Sequence, residues 1–158
     1  MADINIENFY RHIAKILSIL YATFPTKSPV YVDDVAGIDE PDEYGLHSPH
    51  YTAGSFAMIW LADEDYIRYA DTIRQDGIDQ ASLTHKAFLK LTRIAEPIYT
   101  PPSYGDEGDA KVVSIAPAKS LSPSMQEEQK LVINQLRAAL RSGDSIAINK
   151  VVQHILAD

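Results

Sequence analysis

The residues best equipped for chemistry in this chain are its five histidines and the carboxylates grouped near two of them. His12, His47, His50, His85 and His154 are scattered along the sequence. His47 and His50 could share a metal ion, but no third ligand stands at a zinc-site spacing. Asp39, Glu40, Asp42 and Glu43 come just before them. Calcium loops alternate their carboxylates along the chain, whereas these stand in adjacent pairs, the pattern of a solvated acidic loop. His12, on the flank of an amphipathic stretch, reads as a surface histidine. The sequence contains no Walker loop, dinucleotide fingerprint, nucleophile elbow or zinc-protease motif. We therefore expect no enzymatic activity, metal, cofactor or small-molecule substrate.

Charge narrows the class of partner. The net charge is −8, the opposite of the broad basic footprint of a nucleic-acid binder. Between Lys27 and Arg68 there is no lysine or arginine, while Asp33, Asp34, Asp39, Glu40, Asp42, Glu43, Asp63, Glu64 and Asp65 all fall there. The chain has no cysteine, hence no disulfide and no thiolate-bound zinc. No apolar run is long enough to span a bilayer. These features fit a cytoplasmic protein without a membrane partner.

The elements that must carry these residues can be read from periodicity. Ile6, Phe9, Tyr10, Ile13, Ile16, Leu17, Leu20, Tyr21 and Phe24 keep a 3.6-residue period, which predicts a helix over 5–24 closed by Pro25. Val30, Tyr31 and Val32 read as a short strand, and Asp33 as the cap of a short helix ended by Gly37. Ser48 and Pro49 open a helix over 49–62 that the run Asp63-Glu64-Asp65 ends. On a helical wheel Ala53, Phe56, Ile59 and Trp60 share one side. Tyr51, Gly54, Ser55 and Met58 share the other, which we expect to face outward. Tyr66–Thr84 reads as a hairpin with a three-residue loop, Gln75 to Gly77, and Gly77 left-handed. That register places Ile67, Tyr69, Ala81 and Leu83 on one face. Arg74 could pair with Asp79 across the tip. Ser82 or Thr84 then caps a helix carrying Ala87, Phe88 and Leu91.

Helix, "WLADEDYIR", hairpin, "ASLTHKAFLKL", helix resembles the C-terminal half of a winged helix-turn-helix domain, and with the preceding helices the resemblance covers about residues 6–95. Ala87 stands where that family commonly has glycine. The resemblance implies a mostly α fold with a small β-hairpin, in which the 49–62 helix occupies the place of a recognition helix. One fold hosts many functions, so the family does not settle the role.

Three regions follow: a winged-helix domain over 1–95, a Pro/Gly/Ser-rich linker over 96–123, and a helical hairpin over 124–158. In the linker, Pro97, Pro101 and Pro102 favour extended backbone, "KVVSI" could add a strand to a sheet edge, and Tyr99 and Tyr104 could dock on the domain. Ser124–Glu127 forms a capping box, Gly143 breaks the tail, and Asp144 caps its second helix. Leu131, Leu136, Leu140, Ile148, Val151, Val152 and Ile155 stripe the tail. So small a pair cannot stand alone and must fold back on the winged helix or pair with a second copy; its balanced charge favours the second copy. The favoured reading is a non-enzymatic adaptor or inhibitor that docks a protein through Tyr51, Gly54, Ser55, Met58, Asp39, Glu40, Asp42 and Glu43. The alternative is a DNA-binding regulator with His50, Tyr51 and Ser55 near bases and Arg68, Arg74 and Lys86 on phosphates.

Overall fold

In the computed structural model, which describes residues 3–100 and 122–157, helix α1 (Ile4–Thr23) forms where its period demands. Its apolar arc is wider than one contact face requires. Ile13, Ala14, Ile16, Leu17 and Leu20 are all fully buried, because two layers cover them from different sides. Among the described residues the fold is mostly helical with one small antiparallel sheet. The "KVVSI" stretch, Pro101, Pro102 and Tyr104 lie outside the described residues.

The first layer holds the sheet and three helices. Strand β1 (Ser28–Tyr31) runs into helix α2 (Val32–Ala36), which Gly37 ends at φ 91°. Val32 was expected in the strand. It opens the helix instead, and its N–H donates to the Asp76 carbonyl at 2.7 Å. Helix α3 (Pro49–Asp63) starts as expected: the Ser48 hydroxyl accepts from the Tyr51 N–H at 3.3 Å and Pro49 fills the first turn.

The orientation of α3 reverses the expectation. Tyr51, Gly54, Ala57, Met58 and Leu61 face the core, while Phe56 is 67% and Trp60 36% exposed. The cause is Gly54. A Cβ there would stand 3.1 Å from the Ala36 Cβ and 3.2 Å from Val32 Cγ1, so α2 and α3 touch where the side chain is missing. Both sides of α3 are apolar, and close approach rather than hydrophobicity selects the buried one.

The hairpin comprises β2 (Ile67–Arg68), β3 (Asp71–Ile73) and β4 (Gly77–Leu83). Ile67 faces Leu83, and Asp71 faces Asp79, so the loop is Arg74–Asp76, one residue earlier than expected. Moving the loop by one residue changes the pairing by two, which preserves the faces. Ile67, Ala81 and Leu83 are accordingly buried together, with Tyr69 partly so. Arg74, not Gly77, takes the left-handed conformation, at φ 52°. Gly77 is required for a different reason: a Cβ would lie 2.3 Å from the Val30 carbonyl oxygen. Arg74 makes no ion pair with Asp79, which stands opposite Asp71 instead. β4 lies in the middle of the sheet, with β1 on one edge and β2 and β3 on the other. Thr84 caps helix α4 (His85–Thr92), its hydroxyl accepting from the Ala87 N–H at 3.2 Å.

The second layer is the tail, built from α5 (Pro123–Lys130), α6 (Val132–Ser142) and α7 (Ser145–Leu156). Ser122 rather than Ser124 caps α5, and Leu131 interrupts what reads as one helix. An extended strip beside α4 explains the break. The Ala95 N–H donates to the Lys130 carbonyl and the Val132 N–H to the Arg93 carbonyl, each at 2.9 Å. Gly143 is left-handed and Asp144 caps α7, as expected.

The tail stripe does not await a second copy. Leu136, Ile148, Val151, Val152 and Ile155 are buried, and Leu131 and Leu140 partly so, in the same core as α1. Arg11 donates to the Ser145 hydroxyl at 2.8 Å, and the Tyr66 hydroxyl to the Leu156 carbonyl at 3.3 Å. The stripe assigned to oligomerisation is thus buried within one chain, which satisfies the same apolar demand. The three-region division is also more segmented than the packing, because one core joins α1 to α3 and to the tail.

Candidate functional site

Two places gather the side chains singled out above: the junction of the acidic loop with the hairpin turn, and the outer face of α3. At the junction His47 stacks on Tyr51, with ring centroids 3.9 Å apart and planes 15° apart. Its Nδ1 lies 3.0 Å from Asp39 Oδ2 and its Nε2 3.7 Å from Asp76 Oδ1. The Tyr51 hydroxyl donates to the same Asp76 oxygen at 3.2 Å. Burial, then the charges of Asp33 and Asp76, push the Tyr51 phenol up to about 12, so it remains a neutral donor. Asp39 is held below the usual carboxylate range, chiefly because it accepts the Ser48 N–H, at 2.9 Å.

This geometry ties three elements together. Asp39 and His47 belong to the loop, Tyr51 to α3, and Asp76 to the hairpin turn. Further along the loop Asp42 accepts the N–H groups of Tyr44 and Leu46, each at 2.9 Å, while Glu40 and Glu43 stay exposed. Among the described residues no three histidine or carboxylate side chains converge to hold a metal ion. His47 and His50 separate: His50 leaves the loop cluster and its ring stands 4.8 Å from that of His12.

His12 is not the surface histidine expected. It is 1% exposed, and neither ring nitrogen has a hydrogen-bond partner among the described residues. Burial, with His50, Lys15 and Arg11 nearby, lowers its pKa to about 4, so it is neutral at ordinary pH.

The proposed docking residues divide accordingly. Tyr51, Gly54 and Met58 are inside, Ser55 is half-buried, and the carboxylates Glu40, Asp42 and Glu43 are outside. The outward face of α3 is instead Ala53, Phe56 and Trp60, with Trp60 edge-on to Phe9 of α1 at 5.0 Å. The glycine in the middle of α3 is the signal that could have revealed this face.

Of the cations proposed for DNA, Lys86 is engaged, whereas Arg68 and Arg74 are exposed. Arg11 is engaged with Ser145. Lys86 lies over the Tyr66 ring at 4.4 Å and donates to the Glu64 carbonyl at 3.2 Å. Lys90 lies on the same ring's far approach and donates to the Ala157 carbonyl. Arg68 and Arg74 are exposed along the hairpin. No described helix is long and apolar enough to cross a membrane. Comparison of the chain with protein-family models, with curated proteins and with solved structures finds no match.

Proposed function

We propose that residues 4–92 are a winged helix-turn-helix put to use as a non-enzymatic adaptor or inhibitor that docks a protein. Support for the family reading comes from the order helix, strand, helix, helix, hairpin, and from β4 lying between β1 and the outer hairpin arm. In that arrangement α3 takes the place of a recognition helix. The observation that carries the docking reading is its outer face, which offers Phe56 and Trp60 to solvent within an interval that has no lysine or arginine. Phosphate binding draws its affinity from cations at that surface. Exposed aromatic side chains suit the buried centre of a protein interface. The docking residues are thus Phe56 and Trp60 rather than Tyr51 and Met58. An acidic interval of this kind fits a basic target surface, such as one that itself binds nucleic acid.

The DNA alternative rests on the resemblance and on Arg68 and Arg74. A salt series with mixed-sequence duplex DNA separates the two. The docking reading expects no binding even at low ionic strength, together with a protein partner that Phe56→Glu releases while the variant stays folded. Affinity for duplex that falls steeply with salt would overturn it.

A further inference from the structure

We infer that the face between the N-terminal half of α1 and the C-terminal half of α3 takes a basic amphipathic helix from its partner. The inference rests on the docking reading above and names the partner's chemistry. α1 and α3 cross so that His12 meets His50 while Phe9 meets Trp60, which places residues before Phe9 toward the C-terminal end of α3. Ile6 stands one turn before Phe9 and is 45% exposed. Phe56 stands one turn before Trp60 on the other helix. Ile6 and Phe9 on α1 and Phe56 and Trp60 on α3 thus make two short apolar rows that meet at the Phe9–Trp60 contact, and an incoming helix can anchor on them at i, i+3 or i+4.

The rim of this face is rich in carboxylates. Asp63 follows Trp60 by three residues, and Glu64 and Asp65 succeed it, all exposed. Asp3, exposed, stands at the N-cap of α1, three residues before Ile6. Asp63 and Asp3 have no cationic partner among the described residues. Of the cations near this rim, Arg11 reaches Ser145, Lys86 lies on Tyr66 and donates to the Glu64 carbonyl, and Arg68, exposed, follows Asp65 by three residues. A partner that brings its own lysines or arginines satisfies these carboxylates and the electron-rich faces of Phe56 and Trp60 together. An acidic or neutral apolar helix would satisfy only the aromatic rows.

Trp60 is the only tryptophan of the chain, so its emission reports this face alone. The test titrates the full chain with a leucine–lysine amphipathic peptide and with its leucine–glutamate isomer. The expected result is a saturable blue shift with the basic peptide and none with the acidic one. Phe56→Glu should raise the apparent Kd at least tenfold, and Asp3→Asn with Asp63→Asn should raise it several-fold and flatten its salt dependence. An equal response to both peptides, or none, overturns the inference. If Phe56→Glu releases the protein partner but Trp60 ignores the basic peptide, the docking reading stands and this partner class falls. Emission that shifts on diluting the protein alone would mean that a second copy covers the face, which also overturns it.

Discussion

His12 shows how one side chain sets a pH limit on the fold. Its ring is buried with no hydrogen-bond partner among the described residues, and its pKa falls from 6.5 to about 4. The unfolded chain therefore binds a proton more readily than the folded one. Stability is complete above pH 6.5 and declines as the pH drops toward 4, by up to about 1.4 kcal/mol per unit from this group. Urea unfolding at pH 7 and pH 4.5 should show a loss of roughly 2–3 kcal/mol from this source, and His12→Leu should remove that part of the slope. An unchanged slope in the variant would place the titrating group elsewhere. The sequence did not show His12 as buried, because its position at the edge of the α1 period also suits a solvated residue. Only the neighbouring helix closes over it, and helix packing is not written in periodicity.

The secondary elements were far more legible than their faces. Caps, breakers and the 3.6-residue period located α1, α3, α4 and α7 within a residue or two, since each signal acts on its own neighbours. The hairpin's inward face was legible too, because alternation survives a shift of two residues. The burial of α3 was not, because hydrophobicity alone cannot orient a helix that is apolar all round. Nor was the break at Leu131, which is made by backbone some 35 residues earlier in the chain, at Arg93–Ala95. The glycines carry what periodicity lacks. Gly77→Ala should destabilise the protein by about 2 kcal/mol or more, because the new methyl group meets the Val30 carbonyl and the Tyr31 Cα, which are backbone atoms that cannot rotate away. Chemical denaturation of the variant checks this, and a loss under about 0.5 kcal/mol, the range of an ordinary surface change, would mean that β1 shifts freely.

At the scale of the whole molecule, the division into domain and tail gives way to a single core wrapped around α1. The width of its apolar arc held that information, since an ordinary surface helix needs only an arc of roughly 100°. The full chain is expected to elute as a monomer. A chain ending at Pro97 is expected to lose its cooperative thermal transition, because Ile13, Ala14 and Leu17 share their core with α6 and α7. A sharp transition in the shortened chain would show that the first layer stands alone. The link between Arg11 and Ser145 spans 134 residues of sequence. During synthesis α1 therefore emerges long before α7, which covers its second flank. Until then that flank is a site for chaperones or for aggregation, so slowed translation of the tail would cost yield before it cost stability.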